Sequence, residues 1–170
     1  IIKRVSFIPI FLFFIGCMQP NEENLWSVSE EMIFSTRGFC RGVSVNDDFA
    51  YVAAGQSGVQ IWDLNSGELV HEFLGYSQDG SYLEFDDIAL VKRDAINELI
   101  FVTESNKKVK IFHFGSDSQF TYRNEIMSDK TKDFISFDLS GDRFVMFVAD
   151  NDDGLKWGTY RSDTTNVFNL

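Results

Sequence analysis

From residue 42 onward the chain is written in short runs of alternating apolar and polar side chains, broken by Gly, Asp, Asn and Ser. The stretch that sets the pattern is Phe49 to Leu64. Phe49-Ala-Tyr-Val-Ala53 is a β-favouring run, Gly55-Gln-Ser-Gly58 supplies the positive-φ positions of a tight turn, and Val59-Gln-Ile-Trp-Asp-Leu64 follows. Val59 and Ile61 share one face and Gln60 the other, the period of two that predicts a strand. Together they predict a hairpin.

This unit returns twice, as Leu99–Thr103 with Val109–Phe114 and as Val145–Ala149 with Leu155–Tyr160. Val52, Val102 and Val148 align at spacings of 50 and 46, and Ile61, Ile111 and Trp157 align at the same spacings. Tyr51, Phe101 and Phe147 form a third column; Gln60, Lys110 and Lys156 form a polar column between apolar ones. A recurrence of this length marks a propeller or solenoid array.

The flanks supply the remaining strands. Gly42–Val45 predicts the innermost strand of the first repeat and Glu68–Phe73 its outer strand. Asp87–Val91 and Phe120–Ile126 do the same for the second repeat; Asp133–Phe137 opens the third and Thr165–Leu170 ends it. Glu31–Thr36 reads as a further strand that would complete a blade begun at the other terminus. The expected fold is all-β: a partial β-propeller of about three four-stranded antiparallel blades (38–84, 85–130 and 131–170) after a signal peptide. Closed propellers have typically four to eight blades, so open apolar flanks and further repeats on the C-terminal side are expected.

Composition agrees. Eighteen Phe against two Pro among 170 residues suit sheet. A net charge of −11 argues against nucleic acid as a partner, since phosphate contacts need basic patches.

The N-terminus breaks the pattern. Lys3 and Arg4 precede an uncharged apolar run, Val5 to Ile15, ended by Gly16-Cys17. A basic start, a short apolar core and a small residue before the cut describe a secretory signal over residues 1–16, too short for a spanning helix. Phe14-Ile-Gly-Cys17 resembles the lipobox of bacterial lipoproteins, with Phe14 where an aliphatic residue is usual. That resemblance implies lipidation of Cys17, a mature chain beginning there, and attachment to the outer membrane, periplasm or cell surface. Residues 17–30 read as a polar tether. A plain signal peptide or an uncleaved anchor is the simpler alternative. Cys40, without a disulfide partner if Cys17 is lipidated, is expected as a small buried hydrophobe.

Ala50-Tyr-Val-Ala-Ala-Gly55 with Gly58-Val-Gln-Ile-Trp-Asp-Leu64 resembles the LVIVD repeat of exported propellers; the later repeats keep the apolar columns but carry His113 and Thr159 in place of Asp63. The resemblance implies a binding or interaction scaffold. Trp62-Asp63 also matches the WD40 dipeptide, without the Gly-His pair that should precede it.

Candidate chemistry is sparse. His71 and His113 read as ordinary strand residues. Asp150-Asn-Asp-Asp-Gly154 reads as a polar turn rather than a calcium loop, which would want an acid at Ala149. Asp63 is expected to accept backbone or hydroxyl hydrogen bonds. Asp86, Asp87 and Asp133, at the start of first strands, are candidates for a polar group facing the channel; capping of strands and turns is the plainer account. The aromatic columns are expected to pack blade on blade, whereas Tyr76, Tyr82 and Phe85, in the connection between the first two repeats, are the candidates for touching a ligand. No nucleophile, phosphate-loop or zinc motif occurs and no cofactor is implied. The resulting expectation is a non-catalytic scaffold, held to the membrane by lipid, for a protein or envelope component. The alternative is a propeller hydrolase or lyase completed by further blades.

Overall fold

The structure, a computed structural model, describes residues 32–105, 108–126, 128, 130–139 and 143–161. The signal segment, Cys17, the tether and Thr165–Leu170 lie outside them.

The described strands of the blades appear where the alternation places them. Blade one is β1 (Gly42–Asn46), β2 (Phe49–Ala53), β3 (Val59–Asp63) and β4 (Leu69–Phe73), paired in that order. A hairpin follows, β5 (Gly75–Gln78) and β6 (Ser81–Glu84). Blade two is β7 (Ile88–Asp94), β8 (Leu99–Glu104), β9 (Val109–Phe114) and β10 (Phe120–Ile126). Blade three contributes β11 (Thr131–Asp138), β12 (Arg143–Asp150) and β13 (Gly154–Arg161). Every pairing is antiparallel, and no helix occurs among the described residues. The molecule is a partial β-propeller.

The registers confirm the columns. Tyr51 faces Ile61, Phe101 faces Ile111 and Phe147 faces Trp157; Val52 faces Gln60, Val102 faces Lys110 and Val148 faces Lys156. Because the side-chain period is two, each sheet has a forward face, toward the blade that follows it in the chain, and a backward face. Forward residues Tyr51, Val59 and Ile61 of blade one pack on backward residues Ile88, Ile100, Val102 and Phe112 of blade two. Forward residues Phe101, Val109 and Ile111 of blade two pack on Phe134, Phe144, Met146, Val148 and Tyr160 of blade three. The aromatic columns of the first two blades therefore join sheets.

Three local features depart from the reading of the sequence. Residues 32–36 form no strand; in the unit from Phe34 onward, Phe34 lies edge-on against Trp62, with ring centroids 5.5 Å apart. Cys40 is exposed rather than buried, because residues 37–41 run outside any strand and are exposed throughout. The connection between the first two repeats is itself a hairpin, closed by Asp79 (φ 50°) and Gly80 (φ 79°), the two left-handed positions of a type I′ turn.

Candidate functional site

One end of the arc carries the turns between second and third strands together with the entries to the first strands of blades two and three. Gly55, at φ 62°, makes the first of these turns and lies so close to the next blade that its carbonyl accepts the Ile88 N–H, at 3.0 Å. At the same end Arg41, whose own N–H donates to Ala53, places its guanidinium Nε 2.9 Å from Asp87 Oδ1. The other carboxylate oxygen, Oδ2, accepts the Ser105 hydroxyl at 2.9 Å, and the Ser105 N–H donates to the Asp87 carbonyl at 2.8 Å. Gly38, Phe39, Gln56 and Ser57 join Arg41 and Asp87 around a cavity of about 250 Å3. Its chemistry is that of planar polar groups beside an exposed ring.

Beneath this end lies a second polar layer. Glu104 and Asp150 close the second strands of blades two and three and are buried. They stand 46 residues apart, in register with Ala54. Each is met by the lysine of the polar column: Lys110 Nζ lies 3.1 Å from Glu104 Oε2 and Lys156 Nζ lies 2.7 Å from Asp150 Oδ2. Glu104 Oε1 also accepts the Asp86 N–H at 3.1 Å. Asp150 Oδ2 accepts the Ser128 hydroxyl, which in turn accepts that of Thr131. Lys110 lies over the rings of Tyr76 (4.9 Å) and Phe85 (5.9 Å), a cation–π contact. In blade one Ala54 offers no carboxylate, and Gln60 donates instead to Glu72 and to the Arg37 carbonyl. The hydrogen bonds it donates to Asp150 and then to Asp153 push the Lys156 ammonium above the usual lysine range.

The predicted site residues are distributed rather than gathered. Asp87 lines the cavity, and Asp86 contributes its backbone N–H beside it. Asp133 does not join them. Matching bulges in β7 and β11 place it opposite Ala149, where blade two has Leu90 opposite Thr103, so Asp133 and Asp87 are not equivalent positions. Asp133 instead pairs with Lys92 of blade two at 2.6 Å. Burial would raise its carboxyl, but the Lys92 hydrogen bond, the Phe134 N–H and the Lys92 charge hold it below the ordinary range. Tyr76 and Phe85 are buried among Phe112, Phe120 and Tyr122, because the hairpin folds onto blade two and turns its aromatics inward. Tyr82, on β6, is 60% exposed.

The other candidates are structural. His71 packs against the Phe73 and Phe114 rings; His113 Nε2 lies 3.1 Å from Glu98 Oε2. Asp63 Oδ1 accepts the N–H groups of Asn65 and Ser66, closing the turn after β3. Asp150–Gly154 is the β12–β13 turn, its acids taken by Lys156 and Lys130. Among the described residues, no three His, Cys, Asp or Glu side chains converge as metal ligands would.

The sequence pattern singled out the polar column but not its partners, although the spacing of Glu104 and Asp150, the same as that of Val102 and Val148, was the available signal.

No protein-family model and no curated protein matches the sequence. The fold is similar to that of the computationally designed protein Ika4, at 12% identity and TM-score 0.52 over 84% of this chain and 79% of that one. Weaker likenesses include Sqt1 of Saccharomyces cerevisiae (9% identity, TM-score 0.49, 74% of this chain) and a protein from Lactobacillus plantarum (14%, TM-score 0.46, 76% of this chain). The chain spans 36% and 43% of those two. At these identities the likeness speaks for fold alone.

Proposed function

We propose that the protein is an exported, lipid-anchored β-propeller of the LVIVD type that acts as a non-catalytic binding scaffold at the cell envelope. The observation that carries the scaffold reading is the use made of the charged side chains. Arg41–Asp87, Lys92–Asp133, Lys110–Glu104 and Lys156–Asp150 are all intramolecular pairs. A general acid or base needs a group poised to exchange a proton with substrate, whereas these carboxylates are held by cations. The anchor reading rests on the Lys3–Arg4 start, the apolar run and Gly16-Cys17. Binding at the Arg41–Asp87 end is supported by the cavity and the exposed Phe39 ring. The partner is a protein or another envelope component, reached from a membrane-held position.

The test has two arms. Cells expressing the protein are labelled with radioactive palmitate: label retained by wild type and lost in Cys17→Ala supports anchoring, and equal labelling of both refutes it. Affinity capture of the membrane-extracted protein should return a stoichiometric partner that Asp87→Ala releases. A partner held equally by the variant would move binding away from this end.

A further inference from the structure

The Arg41–Asp87 cavity is held at a neutral balance. The ion pair rests directly on Gly55, where a Cβ would come within 3.3 Å of Asp87 Oδ1 and 3.6 Å of Arg41 Nε. Arg41 and Asp87 are the charged side chains of its lining, one of each sign, 2.9 Å apart. A carboxylate or phosphate brought there would meet Asp87 on a chain of net charge −11, and a cation would meet the half-exposed Arg41 guanidinium. What fits between them is uncharged.

The other lining groups narrow its shape. Asp87 holds Arg41 through Nε, and a guanidinium has further N–H donors to offer. Gln56 and Ser57 beside it can each donate and accept. Phe39, 82% exposed, presents an open ring face, electron-rich and so attractive to polarised C–H groups. A cavity of about 250 Å3 lies below the ~300–1,000 Å3 of sites for drug-sized molecules, which suits one ring rather than an extended chain. A flat heterocycle would want a second ring opposite Phe39, and the lining holds none among the described residues. A pyranose differs: hydroxyls that donate and accept surround its rim, and its apolar C–H face covers a single aromatic ring. Taking this end as the binding end, we propose that the cavity recognises one neutral hexopyranose residue of a glycan, its C–H face on Phe39 and its hydroxyls on Arg41, Gln56 and Ser57.

The experiment is saturation-transfer NMR on the detergent-extracted protein. Cellotriose, maltotriose and triacetylchitotriose are the neutral probes; galacturonate and adenosine are the charged and flat controls. At least one neutral sugar should bind, with transfer strongest to the C–H protons of one ring face. Phe39→Ala should weaken that binding by about tenfold or more, and Phe39→Trp, which keeps an aromatic face, should retain it. Because the side chain is so exposed, both variants should melt with wild type. Binding of none of the sugars, equal binding by Phe39→Ala, or tighter binding of galacturonate or adenosine would each overturn the proposal. If no sugar binds yet Asp87→Ala still releases a captured partner, the sugar assignment alone falls; if that variant releases nothing, the binding end itself is misplaced.

Discussion

Replacing Lys110 tests whether the buried polar layer locks the blades. The lysine and Glu104 side chains are 13% and 5% exposed, with Nζ and Oε2 3.1 Å apart. At an effective dielectric near 20, two unit charges at that separation attract by about 5 kcal/mol. Much of that gain offsets the cost of taking both ions out of water, so the pair as a whole contributes little net stability. Removing one partner is different. Lys110→Met keeps a hydrophobic stem under Tyr76 and Phe85 but takes the Lys110 ammonium away from the buried Glu104 carboxylate, which costs about 3 kcal/mol. For a chain of this size that lowers the thermal midpoint by roughly 10 °C.

The control is the double variant. Glu104→Gln removes the stranded charge while its amide oxygen still accepts the Asp86 N–H, so Glu104→Gln/Lys110→Met should recover about half of the loss. Urea unfolding followed by tryptophan fluorescence and circular dichroism gives all three differences on one scale. A loss below about 1 kcal/mol for Lys110→Met is the range of a solvated surface pair. That result, or a double variant no more stable than the single one, would refute the lock.

Three further outcomes follow from the same structure. Gly58→Ala should destabilise more than Gly80→Ala: both positions have φ above 70°, but a Cβ at Gly58 runs into the Phe73 carbonyl and one at Gly80 meets nothing. Paired thermal melts decide it, and equal losses would contradict the packing of β3 on β4. The Asp63 carboxyl is held below its ordinary range by the N–H of Ser66 and then that of Asn65. Its stabilisation is therefore fully present above the unfolded-state value near 4 and lost as pH falls through the lower folded-state value. The stability gap between wild type and Asp63→Asn should accordingly close on acidification; a gap that is constant with pH would refute the assignment. Burial, then the Glu125 charge, pushes the Tyr122 phenol up to about 12. Its contribution is thus present below pH about 10 and lost as pH rises toward 12. Ultraviolet titration of Tyr122→Phe should lack that late component, and an unchanged curve would mean that the ring is solvated.

The blades were legible because each strand writes its two faces into alternate residues and the copies share one register, down to Phe120–Ile126 as the last strand of blade two. The β5–β6 hairpin was less legible. Its Asp79-Gly80 turn is a strong signal, but Ser77, Gln78 and Ser81 around it break the apolar alternation that usually confirms one. Tyr76 and Phe85 were misplaced for the same reason: in a loop they would be free, whereas on a hairpin folded over blade two they are core. The Asp87–Asp133 pairing failed on hairpin length: Ile88 stands opposite Glu104, 16 residues on, and Thr131 opposite Asp150, 19 residues on, so Asp133 aligns with Leu90 rather than with Asp87.

The fate of the acids bears most directly on function. A chain with 26 Asp and Glu against 15 Lys and Arg has fewer cations than carboxylates, yet Asp87, Glu104 and Asp150 near the loop end each hold one. Freeing Asp87 for proton transfer would break its contacts with Arg41 and Ser105, which tie the approach to β1 to the entry and second turn of blade two. Catalysis there would consequently cost the arc a connection between blades. Recognition by Phe39, Gln56 and Ser57 around an intact Arg41–Asp87 pair costs it nothing, and this difference favours binding over chemistry at this end.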